Sequence, residues 1–440
     1  MPSSIRATLV DRWTHSVPLA ALVGLVIAWG SKPGTVGVIV VGLLLAGSTL
    51  AAVHHAEVVA HRVGEPFGSL VLAVAVTIIE VALIVTLMVA GGDGTSTLAR
   101  DTVFAAVMIT VNGIIGISLL SATLRTRVAS FSAEGTGTAL ATVGTLATLT
   151  LVVPTFTTGS PGLEFTTAQL IFASVASIVL YGSFVFVQTV RHRDYFLPRT
   201  SAARPTAIAG ASASQPGGDD QGAAAYLEAM DTATAGPATQ RGLDVSASSG
   251  AATGADTTSG DGPAVGDRVH VPYAVDPVED GEDHADPPTD RETLVSLGLL
   301  LVSLVAVVGL AKIESPAIED GVKSIGAPQS AVGVVIALLV LLPESIAAVN
   351  AARRDRLQVS FNLGFGSAMA SIGLTIPAIA IASIWLSGPL ELGLEPVQIV
   401  LLVITLIASV LTVVPGRATL QQAVVHLSLL GAFLFLAVSP

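Results

Sequence analysis

Long apolar runs separated by short polar turns make up most of the chain. A helix needs about 20 apolar residues to cross a bilayer, and we count eleven candidate spans in this sequence. The first candidate stops early at Lys32-Pro33-Gly34, and we interpret it as a helix rather than a cleaved signal peptide, because no small-residue cleavage site follows it. The pattern predicts an all-α polytopic membrane protein with helices near 17–30, 35–58, 67–91, 102–122, 137–156, 168–190, 293–312, 328–352, 360–386, 397–414 and 419–438.

A polar segment of the chain interrupts the pattern between the sixth and seventh runs. It is rich in Ala, Gly, Ser, Thr, Pro and Asp, and such a composition buries too little apolar surface to fold. Its acidic end, VEDGEDHADPPTD, fits a solubilising linker or a cation-attracting regulatory segment. The predicted organisation is an N-terminal segment with the first helix, a five-helix repeat, a disordered cytoplasmic linker and a second five-helix repeat, with boundaries 1–34, 35–192, 193–291 and 292–440.

Five helices in each half invert the second half relative to the first across the membrane, which is a common transporter design. The loop charges give the orientation. If the N-terminus is inside, only Lys32, Arg100, Lys312 and Lys323 face out. The positive-inside rule then predicts a multi-pass protein of the cytoplasmic membrane with its C-terminus outside. The arginines on the cytoplasmic side are Arg6, Arg12, Arg62, Arg125, Arg127, Arg191, Arg193, Arg199, Arg291, Arg353, Arg354, Arg356 and Arg417.

The composition agrees with a membrane protein and excludes several functions. Hydrophobic residues make up 52% of the 440 residues and charged residues only 12%, against about 25% charged in soluble domains. The net charge of −12 and the lack of a basic stripe argue against nucleic acid as a partner. Cysteine is absent, which excludes disulfides and thiolate chemistry. With no nucleotide loop, HExxH or GxSxG motif, we expect a transporter rather than an enzyme.

Two glutamates lie deep inside apolar runs and are the main clue to function. Glu80 stands in FGSLVLAVAVTIIEVALIVTLMVAGG and Glu344 in AVGVVIALLVLLPESIAAVNAA, each in the second helix of its half. A charged carboxylate at that depth costs about 2.5–3.5 kcal/mol on insertion scales. No Lys or Arg lies at similar depth in the sequence, so each acid must be protonated or hold a cation. This competition predicts a midplane site that exchanges cations for protons; the alternative is a pair of structural carboxyls.

Oxygen-bearing and helix-disturbing residues lie near both glutamates. Thr77 precedes Glu80 by three residues and shares its helical face. Pro343 removes a backbone donor directly before Glu344, which frees a carbonyl one turn earlier or simply kinks the helix. The fourth helix offers Asn112. The ninth helix carries a small, polar stripe that suits either cation coordination or close helix packing, namely Gly364, Ser367, Ser371 and Thr375.

This donor set favours a hard cation. Ca²⁺ prefers six to eight oxygen ligands, whereas zinc and copper favour His, Cys or Met, none of which is among the predicted site residues. A separate group at the end of the second helix, His54, Glu57 and His61, follows an i, i+3, i+7 spacing. It suits either transition-metal binding or an interfacial pH-sensing role.

The two glutamate segments resemble a known group of transporters. HAEVVAHRVGEPFGSLVLAVAVTIIEV is similar to the first α-repeat, and LLPESIAAVNAARRDRLQVSFNLGFGSAMASIGLTIP to the second, of the calcium/cation exchanger superfamily, in particular the ChaA-like bacterial calcium/proton antiporters. The resemblance implies that Glu80 and Glu344 bind the cation and exchange it for protons. It also implies an acidic position at Glu57 and auxiliary cation-site positions at Asn112, Ser367 and Ser371.

One departure from the superfamily concerns the cation. Vacuolar members carry Gly-Asn four and three residues before each glutamate, whereas this chain has Val76-Thr77 and Val340-Leu341. We expect a Ca²⁺/H⁺ antiporter that works by alternating access. Because the Gly-Asn pairs are missing, Na⁺/H⁺ or K⁺/H⁺ exchange is the alternative. A cation channel and an intramembrane hydrolase are remote alternatives. The expected partners are inorganic cations, protons and the bilayer, with no cofactor beyond transported Ca²⁺, while stoichiometry and oligomeric state stay open.

Overall fold

A computed structural model describes residues 3–64, 67–90, 95–197, 288–386 and 388–439. One compact unit comprises residues 1–200 and 284–440, whereas a second unit, residues 201–283, lies outside the described residues together with nearly all of the predicted linker. The described part forms eleven helices: α1 Ser3–Ala28, α2 Thr35–Val63, α3 Phe67–Ala90, α4 Leu98–Thr126, α5 Ala133–Phe156, α6 Thr167–Arg191, α7 Asp290–Ser324, α8 Ser330–Arg353, α9 Leu357–Ala382, α10 Pro396–Val413 and α11 Leu420–Val438.

Ten of these helices are long and apolar enough to cross a membrane, and Trp13–Ala28 within α1 is a shorter apolar helix. The predicted fold class, a polytopic all-α membrane protein with one N-terminal helix and two five-helix halves, is confirmed. Helices this apolar are stable in a bilayer because every backbone polar group bonds inside its own helix.

Contacts at one end of the bundle join loops from both halves. We call this end the basic face because it carries Arg62, Arg125 and Arg353. Arg62 pairs with Asp290 at the start of α7, and Arg125 binds Asp355 at 2.9 Å. Strand β1 (Val128–Ser130) also pairs antiparallel with β2 (Arg417–Thr419). The described helix ends therefore alternate between two faces as the sequence predicts.

The other end, which we call the opposite face, is closed by a buried ion pair. Arg100 and Asp101 are 2% and 4% exposed, and their side chains lie 2.9 Å apart. The Arg100 guanidinium also donates to the carbonyl of Gly393, and Gln398 donates to Asp101. The sequence pattern placed this pair before the fourth helix; in the structure it forms the first turn of α4, where Asp101 suits the helix N-terminus.

Helix α7 is longer than its apolar run. The run predicts a helix over 293–312, but the helix continues to Ser324, so that Lys312, Glu314 and Pro316 lie inside it. A capping box of Thr289 and Glu292 fixes its start. With 35 residues the helix is about 52 Å long, more than the hydrocarbon thickness of a bilayer. The polar residues that end the apolar run therefore do not end the helix.

The helices pack into two cores, and α3 and α8 contribute to both. One core joins α1, α2 and α7; the other joins α4, α5, α6, α9, α10 and α11. On α3, Leu83 belongs to the first core and Ile84 to the second; on α8, Val340 and Leu341 divide in the same way. The two glutamate-bearing helices therefore lie at the boundary between two packing units.

The third helix of each half is irregular. Helix α4 contains a π-helical segment, Ile109–Ile114, and α9 divides into Leu357–Gly373 and Thr375–Ala382 around Leu374. Such irregularities at membrane depth occur where neighbouring protein groups replace the lost backbone bonds. Both lie close in sequence to candidate site residues.

Candidate functional site

Glu80 is fixed in the protein interior by two hydroxyl groups. Its side chain is 2% exposed. Ser371 donates to Glu80 Oε2 at 2.9 Å and Thr375 donates to the same oxygen at 3.1 Å. These donors lie on either side of the break in α9, so the irregular helix brings both to one oxygen. The other oxygen, Oε1, is buried and makes no hydrogen bond within the described part of the chain.

Glu344 lies in a less enclosed environment. The residue is partly exposed, while its Oε2 atom is buried without a hydrogen-bond partner among the described residues. Pro343 precedes it inside an uninterrupted helix α8, and the missing amide leaves the carbonyl of Leu339 without its usual helical donor. The helix therefore supplies a carboxylate and, one turn earlier, a backbone oxygen with spare acceptor capacity.

The two glutamates lie close enough to interact through their charges. The carboxyl of Glu344 interacts electrostatically with those of Glu80 and Glu57. No described Lys or Arg forms an ion pair with Glu80 or Glu344. Since like charges at short range in an apolar interior repel strongly, the pair requires neutralisation by protons or by a cation.

The structure brings together only some of the auxiliary residues. Thr77 is buried one turn before Glu80 on α3, and Ser371 binds Glu80 directly. Ser367 is partly exposed one turn before Ser371. Thr375 belongs to the α9 stripe but is not among the predicted auxiliary residues. Its hydroxyl nevertheless lies 3.1 Å from Glu80 Oε2, close to the 2.9 Å of Ser371. The stripe spacing of three or four residues was the signal that could have included it.

Asn112 makes no hydrogen bond to either glutamate among the described residues, and its place in the cation site stays a prediction. Its amide nitrogen donates to Thr405 at 2.9 Å, and its Oδ1 atom lies 3.1 Å from Nδ1 of His426. His426 is 1% exposed, and its Nε2 lies 3.2 Å from the hydroxyl of Thr412. Both ends of the Asn112 amide therefore bond to α10 and α11.

The group His54, Glu57 and His61 is not assembled as a metal centre. Within the described residues, no cluster of three or more acidic or His side chains is arranged to hold a metal ion. Glu57 and His61 are exposed, whereas the neighbouring His55 is buried, with Nε2 3.0 Å from the carbonyl oxygen of Thr14. His54 packs edge-on against His55. The described arrangement of His54, Glu57 and His61 does not support transition-metal binding. The pH-sensing alternative for this group stays a prediction.

The site as a whole offers hard oxygen ligands in a nearly dry environment. Two carboxylates, two hydroxyls and a helix with a free carbonyl are suited to alternate loading with protons and cations. Together with a bundle of two inverted halves and two packing units, this arrangement is typical of cation transporters.

Comparison with known proteins agrees with this class. The family model for the sodium/calcium exchanger protein matches residues 33–190 and 295–439. The chain therefore belongs to the sodium/calcium exchanger family, and it is a multi-pass membrane cation exchanger.

Two relatives match over nearly their whole length. The y4hA protein of Sinorhizobium fredii, named as an ionic transporter, is 38% identical over 439 residues, which are 99% of this chain and 98% of that protein. The sodium-potassium/proton antiporter ChaA of Escherichia coli is 28% identical over 421 residues, covering 95% and 93%. The predicted membership of the calcium/cation exchanger superfamily is confirmed.

Two solved structures share the fold. Native YfkE superimposes with a TM-score of 0.59 at 12% identity, covering 98% of this chain and 99% of that chain. The H⁺/Ca²⁺ exchanger CAX superimposes with a TM-score of 0.58 at 14% identity, covering 98% and 89%. At this identity the match supports the architecture alone.

Proposed function

We propose that this protein exchanges Ca²⁺ for H⁺ across the cytoplasmic membrane by alternating access, with Glu80 and Glu344 binding both ions in turn. The observation that carries the proposal is the pair of unsatisfied buried oxygens, Oε1 of Glu80 and Oε2 of Glu344. An orphaned carboxylate oxygen in a dry interior is unfavourable unless a proton or a cation occupies it.

Charge balance favours a divalent cation. Two deprotonated carboxylates carry two negative charges, which one Ca²⁺ or two protons neutralise fully. A single Na⁺ or K⁺ leaves one charge uncompensated in a region of low dielectric constant. The hydroxyls of Ser371 and Thr375 already contact Glu80, and the carbonyl of Leu339 has spare capacity, so further oxygens are available for the coordination that Ca²⁺ prefers.

Sodium/proton or potassium/proton exchange is the second candidate. The name of the ChaA relative specifies sodium and potassium. In addition, Val76 and Leu341 are apolar and Thr77 offers only a hydroxyl near the carboxylates. Fewer strong ligands favour cations that are bound weakly, which keeps the monovalent ions in contention.

The two packing units support alternating access. A shift of the unit formed by α1, α2 and α7 against the remaining helices would open the boundary at which α3 and α8 lie first to one face and then to the other. The excess of arginines at the basic face supports a cytoplasmic position for that face. The proton gradient across the cytoplasmic membrane would then drive expulsion of the cation.

Everted membrane vesicles provide the test. Addition of Ca²⁺, Na⁺ or K⁺ in parallel should dissipate an imposed pH gradient, with Ca²⁺ effective at the lowest concentration. Glu80→Gln and Glu344→Gln should each abolish this response at normal protein levels, because an amide cannot exchange a proton for a cation. Glu164→Gln changes a carboxyl in the loop between α5 and α6 and is the matched control, with activity expected unchanged. Full activity of either buried variant would contradict the proposal, and a response to Na⁺ and K⁺ alone would establish the second candidate.

A further inference from the structure

A further buried carboxyl, Glu314 on α7, is unused by the site described above. Its side chain is 7% exposed, and its Oε2 atom is buried without a hydrogen-bond partner among the described residues. Its Oε1 atom faces Gly42 of α2, where a Cβ atom would lie 3.5 Å away. The neighbouring α7 residues Leu310 and Ala311 belong to the apolar core of the α1–α2–α7 unit. A charged carboxylate in this position is costly, so a structural role alone does not explain it.

Glu57 on α2 is the counterpart of Glu314 in the other half. Helices α2 and α7 are the first helices of the two halves and pack against each other, with the hydroxyl of Ser48 donating to the carbonyl of Ser303 at 3.3 Å. From this contact, Glu57 lies nine residues further along α2, toward the basic face. Glu314 lies eleven residues further along α7, toward the opposite face. Inverted repeats relate the two carboxyls across the membrane.

The two counterparts differ in access. Glu57 is exposed and interacts with the charge of Glu344, whereas Glu314 is enclosed. One helical turn beyond the Glu314–Gly42 contact, Val38 and Ala317 line a cavity of about 630 Å³ at the opposite face. These two lining residues are therefore about one helical turn away from the buried carboxyl of Glu314.

We propose that Glu314 is a proton- and cation-accepting carboxyl of the ion path on the opposite face, equivalent to Glu57 on the basic face. In the described conformation the path at Glu314 is closed, and a proton on its carboxyl group removes the buried charge. When the α1–α2–α7 unit shifts, Glu314 reaches the cavity, its O–H bond breaks, and the proton passes to water on that side. The carboxylate left behind attracts the hydrated cation that moves to or from Glu80. This inference rests on the proposed exchange of cations for protons.

The charged groups near Glu314 are few. Lys312 is exposed and lies 5.8 Å from the centre of the Trp29 ring, and Lys32 lines the same cavity from the α1–α2 turn. Asp320 also lines the cavity, and Glu319 is partly exposed, with Ser315 3.4 Å from one of its oxygens. Helix α2 presents Gly42 and the apolar Val38 and Val41 to this region. When the path opens, the positive charges of Lys312 and Lys32 would favour the deprotonated form of Glu314. The cation would be held less tightly there than at Glu80.

The first experiment measures exchange in vesicles while the pH on each side is varied separately. Glu314→Gln should slow exchange about tenfold, the effect of losing one charge-assisted ion contact. It should also weaken the dependence on pH at the opposite face, where Glu80 and Glu344 still exchange protons, while leaving the dependence at the basic face intact. Glu57→Gln should instead alter the dependence at the basic face, by a few-fold only because Glu57 is exposed, and Glu319→Gln, the matched control, should behave as wild type. Wild-type exchange in Glu314→Gln with an unchanged pH profile on both sides would overturn the inference, whereas a wild-type protein without exchange would refute the proposed function instead.

The second experiment does not depend on transport. The chain contains no cysteine, so single cysteines can be labelled cleanly. Gly42→Cys tolerates its new Cβ, because the nearest atom is at an ordinary contact distance. A membrane-impermeant thiol reagent added at the opposite face should label it only when high cation on that side favours the open path. Lys312→Cys, exposed in the cavity, should be labelled under all conditions and shows that the protein is folded. Labelling of Lys312→Cys without labelling of Gly42→Cys under any gradient would contradict an opening at Glu314.

Discussion

Glu80 and Glu344 occupy the second helices of two inverted halves, yet the protein treats them differently. Glu80 is enclosed and one of its oxygens is held by Ser371 and Thr375, whereas Glu344 is partly exposed and interacts with the exposed Glu57. Equivalent positions of a repeat would have equal surroundings if the molecule were symmetric across the membrane. Under the alternating access that we propose, such a difference is expected of either access state.

The largest expected effect concerns Glu80, whose carboxylate is held by the hydroxyls of Ser371 and Thr375. Glu80→Asp shortens the side chain by one methylene and withdraws the carboxylate from both hydroxyls. Loss of two hydrogen bonds to a charged group, at about 1.5–3 kcal/mol each, should reduce cation affinity by at least about 100-fold. Glu344→Asp should lose much less, because its environment is more open. The dependence of vesicle exchange on cation concentration measures both, and equal losses would remove the distinction between the two carboxylates.

Removing the hydroxyls one at a time should give a smaller effect. Ser371→Ala and Thr375→Val each delete one bond to Glu80 Oε2, and each should weaken apparent cation affinity by about tenfold. Thr375→Ser keeps the hydroxyl and is the matched control. Binding measured by isothermal titration on purified protein reports this directly. If the alanine and valine variants bind as wild type, the hydroxyls serve helix packing rather than the ion.

Asn112 should affect stability rather than ion binding. Asn112→Ala removes one buried hydrogen bond from His426 Nδ1 and one from the Thr405 hydroxyl, which should destabilise the protein by about 1–3 kcal/mol. Cation affinity and the ranking of Ca²⁺, Na⁺ and K⁺ should stay unchanged. Thermal unfolding in detergent together with vesicle transport separates the two roles. A change in the ranking of Ca²⁺, Na⁺ and K⁺ at normal stability would instead indicate that Asn112 belongs to the cation site.

The smallest expected effect concerns Glu57. Glu57→Gln removes a negative charge near Glu344 and should raise the cation concentration needed for half-maximal exchange from the basic face by a few-fold at low salt. The effect should shrink at higher ionic strength, since the Debye length falls to about 8 Å at physiological salt. Initial exchange rates at two salt concentrations would show this. An effect that is independent of salt would indicate a direct ligand role instead.

The sequence predicted the fold well because bilayer thickness sets helix length so strongly. All eleven predicted spans correspond to helices, and the apolar runs fixed their order and number. The main difference is at α7, for which the apolar run predicts an end at Lys312, whereas the helix continues to Ser324 and includes Glu314. Hydropathy reports which residues prefer lipid, but a helix continues through polar residues when a neighbouring helix covers them.

Part of the candidate site was also visible in the sequence. Glu80, Glu344 and the α9 stripe stood out because charged and hydroxyl groups are rare at membrane depth. The direction in which Asn112 points was not visible, because every residue of α4 from Leu98 to Gly116 is buried and all faces of this part pack against protein. The resemblance named the residue, but only the contacts with α10 and α11 show what its amide binds.

By itself, the sequence determined the membrane class, the number and alternation of helices and the two acids that make an exchanger plausible, because each follows from the energy of placing a residue in lipid. Only the tertiary structure decided which oxygens of Glu80 are occupied, that Glu344 is the more accessible carboxyl, and that Glu314 is enclosed. These features depend on distances between helices from different halves. Such distances result from packing between residues some 290 positions apart, as between Glu80 and Ser371, and no local pattern encodes them.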